Sequence, residues 1–288
     1  MASSSMQDIK RRIKSVTSIE HVTNAMKLVS SAKLRRAKSA FEKTSRNLLY
    51  IIESIESLFN NASDVPGQYL AANRATDKTG YVIVSSNRGL CGSFNTNVIK
   101  MAESRMGEDN EEPVIFAIGS KGRDYFKKRN YDIHGEYTAP PESISFIETG
   151  KISKPIIEMY DAGQIDRIEL IYTSYINTME QRVKSVTLLP FDISLDPEVE
   201  KHVREVEYEP SVDVVFNYLV PKYVELQIYG AVVESATCEH AARRMAMENA
   251  TDNAQEMLEN LSLFYNRARQ AAITDEIIEI VAGAEAQK

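Results

Sequence analysis

The chain has 288 residues and a net charge of −7; 43% of it is apolar and 26% charged, with no Trp and only 12 Gly. That length admits one or two domains, and scarce Gly points away from turn-rich β architecture and toward helix. Two cysteines without a CxxC pair, Cys91 and Cys238, exclude a disulfide scaffold and suit a reducing compartment, and the four scattered His residues exclude a zinc or His-based catalytic motif.

The charge is unevenly spread. Residues 1–46 carry eleven Lys and Arg against three acids, whereas residues 198–288 carry seventeen acids against eight bases. Such ends attract each other or two different partners. A basic arm also suits nucleic acid, but this one has no interleaved aromatics and no reading motif. No apolar run approaches the roughly 20 residues that span a bilayer. A helical pattern starts near Met6, which leaves no room for a removable transit segment. The expectation is a bacterial-type cytoplasm, with partners holding the chain at any membrane it serves.

The first 65 residues contain neither Pro nor Gly. Ile9, Ile13, Val16, Ile19, Val22, Met26 and Val29 recur at helical gaps, and Leu48, Ile51, Ile55 and Leu58 continue them. A helix of some 55 residues spans roughly 80 Å, a shaft or coiled-coil length. Pro66 and Gly67 then end it. In the middle, residues 81–85, 114–118, 168–172 and 183–189 read as strands. They alternate with helical stretches 95–106, 121–129 and 145–162, the last expected to break at Gly150 or Pro155. This predicts a small, mostly parallel, Rossmann-like α/β domain. From near Ser211 a second helix of some 70 residues, or roughly 105 Å, is predicted, kinked or begun at Pro221. Its stretch Ile277–Ala284 is nearly apolar. The two long helices are expected to pair as an antiparallel coiled coil. The predicted divisions are an N-terminal coiled-coil helix over 1–70, the α/β domain over 71–207, and a C-terminal coiled-coil helix over 208–288.

The most chemical-looking segment is Ser85-Ser86-Asn87-Arg88-Gly89-Leu90-Cys91-Gly92-Ser93-Phe94-Asn95. It follows a strand and opens a helix, where phosphate loops sit. It fits neither GxGxxG nor GxxxxGK[ST]. The ordinary explanation is a tight turn made by Gly89 and Gly92, with Ser93 or Asn95 as helix cap and Cys91 buried. Met26, Met245, Met247 and Met257 read as packing rather than soft ligands. Gln270 and Thr274 are four apart and share a helix face beside Arg269, a set suited to a partner's carboxylates.

Residues 273–286, ITDEIIEIVAGAEA, fit the signature of F-type ATP synthase γ subunits at every fixed position. The segments Tyr265–Ala271, Glu239–Met247, Asn249–Asn253, Asn24–Val29 and Ala32–Ala37, and the loop Arg88-Gly89-Leu90-Cys91-Gly92, resemble the same family in order along the whole chain. One departure is Gly92-Ser93-Phe94, where relatives often carry a second Gly.

The resemblance implies a non-enzymatic rotor in the central stalk of a proton- or sodium-transporting ATPase, without cofactor or metal. Its coiled coil stands inside the hexamer of α and β subunits. Its foot, with the ε subunit, grips the membrane c-ring on the cytoplasmic face of a bacterial plasma membrane. The chain then couples ion flow to ATP synthesis or hydrolysis. By matching position, Arg269, Gln270, Thr274 and Met26 are expected to meet the β subunit. Lys33, Arg35 and Arg36 form a basic face toward the hexamer, and Gly89, Cys91 and Gly92 form a structural turn. The regulatory cysteine insertion of chloroplast relatives is absent. The competing reading is a nucleotide-binding α/β protein with helical scaffold arms.

Overall fold

The computed structural model describes residues 2–61, 66–70, 78–108, 113–139, 144–191, 209 and 211–285. The predicted division points at 71, 207 and 208 lie outside the described residues. Two compact units contain the chain: residues 1–31 with 243–288, and residues 32–242.

The described residues of the first unit are all helical. The unit takes the start of α1 (Ala2–Asn61) and the end of α5 (Val212–Glu285). On α1 the covered positions include Ile9, Ile13, Val16, Glu20, Thr23, Lys27 and Ser30; on α5 they include Met247, Thr251, Ala254, Leu258, Leu261, Tyr265, Ala268 and Ala272. Gaps of three and four alternate throughout, so each helix keeps the 3.5-residue repeat that holds a seam in register along a supercoil. Thr251 Oγ1 donates to Thr23 Oγ1 at 2.9 Å across it. Counting outward from that contact, Ala2 comes opposite Ala272. Residues 273–285 therefore run past the start of α1 as about 20 Å of single helix.

One expectation needs correction. Spacing put Ile19, Val22 and Val29 in the seam, but they are 51%, 58% and 57% exposed. Each stands one residue before a seam position (Glu20, Thr23, Ser30), about 100° around the helix. The seam instead takes the polar side chains Glu20, Thr23 and Ser30 there.

The second unit is built on a sheet in the order β3-β2-β1-β4-β5. Its strands are β1 (Thr79–Val84), β2 (Val114–Ile118), β3 (Ile133–Tyr137), β4 (Arg167–Tyr175) and β5 (Gln181–Leu189). The first four are parallel, and β5 is antiparallel to β4. Tyr81, Ile83, Ile115, Ala117 and Ile171 face α2 (Phe94–Glu108) and α3 (Ser120–Lys127). Val82, Val84, Phe116, Ile118 and Leu170 face α4 (Phe146–Asp161), Ile55 at the end of α1, and Phe216, Val220, Val224 and Ile228 at the start of α5. Burial on both faces is why β1 and β2 read as unbroken apolar runs.

Strand β3, Ile-His-Gly-Glu-Tyr, was not among the predicted strands. It pairs with β2 alone and its burial alternates, so it offers no apolar run. Helix α4 is also unbroken, contrary to expectation. Ser145 and Glu148 form a reciprocal capping box at its start. The buried Ile152, Ile156 and Tyr160 hold it through Pro155. Gly150 is tolerated because a side chain there meets Glu225 of α5: an added Cβ lies 2.9 Å from Glu225 Oε1. Pro221 likewise lies inside α5.

Candidate partner-binding surfaces

Arg269, Gln270 and Thr274 are all exposed on α5. Gln270 stands two residues from both Ala268 and Ala272, so it points about 160–200° away from the seam. Thr274 Oγ1 donates to the Gln270 carbonyl at 2.9 Å, which ties the two into one patch. Met26 is half-buried on the flank that carries Ile19, Val22 and Val29. By the Thr23–Thr251 register it lies level with Glu248. That is about 20 residues, or roughly 30 Å, along α5 from Arg269. The four expected β-subunit contacts therefore form two zones rather than one. Lys33, Arg35 and Arg36 are exposed on the part of α1 that belongs to the second unit.

Beyond the patch one broad arc of the helix turns apolar, with the exposed acids Asp275, Glu276 and Glu279 on the opposite side. Ile273, Ile277, Ile278, Ile280 and Val281 are 47–70% exposed. On a single helix past the end of its partner, they have nothing from α1 to cover them. The Ile19–Val22–Met26–Val29 flank was not among the expected contact residues, Met26 excepted. Its signal was legible: these four keep their own 3.5-residue spacing beside the seam.

The turn after β1 is closed on itself. Ser86 N donates to Asn95 Oδ1 at 2.9 Å and Ser86 Oγ to the Arg88 carbonyl at 2.6 Å. Asn95 Nδ2 donates to Ser86 Oγ at 2.8 Å and to Cys91 Sγ at 3.2 Å. Asn95 thus reaches back to the strand instead of capping its own helix. Gly92 has φ +57° and Leu90 φ +62°. Cys91 is 1% exposed and packs in a cluster with Phe94 and Cys238, where burial pushes the Cys238 thiol well up. Asn87 Oδ1 accepts from Ser120 N at 2.8 Å and caps α3. One amide of the turn, Ser86 N, is thus spent on a side chain of the chain itself. Gly89, Cys91 and Gly92 fit a structural turn.

No described helix is long and apolar enough to cross a membrane. The profile of the ATP synthase family matches residues 5–287. The chain is 45% identical to the ATP synthase gamma chain of Alkaliphilus metalliredigens, over 98% of this chain and 99% of that one. It is 38% identical to the sodium ion specific ATP synthase gamma chain of Acetobacterium woodii, over 98% of each. Among solved structures it resembles a chain of the Euglena gracilis mitochondrial ATP synthase OSCP/F1/c-ring assembly, with TM-score 0.71, 20% identity, and coverage of 99% of this chain and 95% of that one. It also resembles a chain of the Tetrahymena thermophila mitochondrial ATP synthase central stalk/c-ring, with TM-score 0.64, 24% identity, and coverage of 80% and 99%. A seam of two long terminal helices, a mixed sheet between them in sequence, and relatives alike from end to end lead to one assignment: the chain belongs to the ATP synthase gamma chain family.

Proposed function

We infer that this chain is the central-stalk rotor of an F1Fo ATP synthase. It couples ion flow through the membrane c-ring mechanically to ATP synthesis or hydrolysis in the hexamer of α and β subunits. It has no catalytic residues and no cofactor of its own. It works at the cytoplasmic face of the bacterial plasma membrane, held there by the hexamer, the ε subunit and the c-ring. The helical divisions 1–70 and 208–288 form the shaft, and the division 71–207 serves as the foot.

The observation that carries this reading is the end of α5. A helix with a broad apolar arc exposed at Ile273, Ile277, Ile278, Ile280 and Val281, and the acids Asp275, Glu276 and Glu279 on its other side, suits an apolar sleeve that faces that arc. Burying each such side chain fully is worth about 1.5–3 kcal/mol. The polar patch of Arg269, Gln270 and Thr274 suits carboxylates at the sleeve's rim, and the flank at Met26 suits a second, lower contact on the β subunit. Lys33, Arg35 and Arg36 suit an acidic rim. One charge crossing about 100 mV yields only about 2.3 kcal/mol, so several translocations must be summed for one phosphorylation. An asymmetric shaft accomplishes this by making different contacts with each β subunit in turn.

The test is co-expression with α and β subunits, followed by the Arg269→Ala/Gln270→Ala variant in the assembled complex. The chain is expected to co-purify with both subunits. The variant assembles, and its coupled turnover falls by about tenfold, near the value of one charge-assisted hydrogen bond. Failure to co-purify refutes the rotor reading, and wild-type turnover in the variant refutes the contact patch.

A further inference from the structure

We propose that Glu234 and Ser235 are positioning residues that clamp α5 to an open backbone edge of β4 and carry twist between helix and sheet. The proposal rests on the rotor reading above.

The edge arises from register. β1 pairs with β4 from Thr79↔Arg167 to Ile83↔Ile171 and no further. β4 continues to Tyr175, and β5 covers its other edge through Tyr175↔Gln181. Along a strand, backbone groups alternate between its two edges. The amides of Thr173 and Tyr175 therefore face the side that β1 has left.

Side chains of α5 replace the missing strand. Thr173 N donates to Ser235 Oγ at 3.2 Å, and Ser235 Oγ donates to the Thr173 carbonyl at 3.4 Å. Cys238 Sγ donates to the same carbonyl at 3.5 Å. Tyr175 N donates to Glu234 Oε1 at 2.7 Å, and Ser174 Oγ to that oxygen at 2.8 Å. Thr173, Ser174 and Ser235 are 2–5% exposed, so water does not compete well for these groups.

Adhesion alone does not need this arrangement. Phe216, Val220, Val224, Ile228 and Val232 already bury α5 against the sheet core. Apolar burial is non-directional. It lets a helix roll about its own axis at little cost, and rolling is the slip that a twisted shaft must resist. Hydrogen bonds to a strand edge are directional, and those to a carboxylate are the stronger kind. Glu234 and Ser235 are adjacent on α5 and grip alternate residues of β4. A roll in either direction lengthens one set.

The experiment uses the assembled complex, immobilised through its hexamer, with a bead on the sheet unit at Lys127→Cys. Wild type, Glu234→Ala/Ser235→Ala and Glu234→Gln are compared for bead angular variance in the stalled state and for amide exchange at Thr173 and Tyr175. In the double variant, variance rises at least about twofold and exchange at both amides at least about tenfold. Glu234→Gln keeps the Oε1 acceptor without its charge and falls between wild type and the double variant in both. Unchanged variance with accelerated exchange overturns the proposal, as does exchange that does not change. If the double variant does not assemble, Ser235→Ala alone applies the same criteria at Thr173. A wild-type bead that never turns with ATP refutes the rotor reading instead, and the clamp then stands or falls on exchange alone.

Discussion

The hydroxyl pair in the seam makes a sharp prediction. Thr23 and Thr251 are 9% and 4% exposed. They share the 2.9 Å contact across the helices; Thr23 Oγ1 donates to the Glu20 carbonyl at 3.0 Å, and the single Thr251 Oγ1 proton is divided between Thr23 Oγ1 and the Met247 carbonyl, 2.8 Å away. Either single Thr→Val replacement leaves the partner hydroxyl facing a methyl group in a buried seam. The expected cost is about 1 kcal/mol, or roughly fivefold faster opening. Replacing both removes donor and acceptor together and is nearly neutral. The coupling energy is then about 2 kcal/mol. Native-state amide exchange over residues 247–258 reads this locally, without requiring cooperative unfolding of the whole chain. Each single variant should exchange about fivefold faster, and the double variant close to wild type. A double variant that exchanges at the product of the singles, roughly 25- to 30-fold faster, refutes the claim that the two hydroxyls act as a pair.

Ile277→Ser/Ile280→Ser changes side chains already 56% and 70% exposed. The chain's own stability should move by no more than about 0.5 kcal/mol, while its affinity for the hexamer of α and β subunits falls by about 10- to 100-fold, measured by thermal melting and by titration. Gly119→Ala should destabilise the sheet unit by more than about 3 kcal/mol in urea unfolding, because Gly119 has φ +100° and an added Cβ lies 2.2 Å from the Ser85 carbonyl oxygen. Tyr172 is pushed up to about 12, by burial first and then by the charges of Glu234 and Cys238. The folded chain therefore holds this proton after the unfolded chain has lost it. This group's stabilising contribution is complete below about pH 10 and is lost as pH rises from there to about 12. Tyrosinate absorbance of wild type minus Tyr172→Phe checks this, and a normal titration near 10 contradicts it.

The long helices were legible because Gly and Pro are missing from α1 and from residues 231–282 of α5, a signal that needs no tertiary context. The seam was legible only to Val16. Beyond it the most apolar residues, Ile19, Val22 and Val29, suggested the inner face, whereas the covered positions hold Glu20, Thr23 and Ser30. An apolar stripe marks burial against something, and sequence does not say whether that is the chain's own helix or a partner. β3 was missed because an edge strand with one half-covered face has no apolar run, and α4 was expected to break because tertiary packing overrides the local cost of Pro155. The β-subunit assignment came from resemblance, since the spacing of Arg269, Gln270 and Thr274 suits a partner's carboxylates and a solvated face equally well. Glu234 and Ser235 carried no signal at all. Their partners are backbone groups made available by where one strand stops.

The Thr23–Thr251 bond joins residues 228 positions apart. At a synthesis rate of about 5–20 residues per second, the first half of that seam waits roughly 10–45 s on the ribosome for its complement. During that interval α1 displays both its inner and its outer apolar stripes to the cell. The sheet, whose strands all lie within residues 79–189, is complete well before the wait ends. A nascent chain that has emerged as far as about residue 232 should therefore present a formed sheet, covered by the start of α5, behind an unpaired, adhesive helix, the form in which a holdase or an early α or β subunit would first meet it.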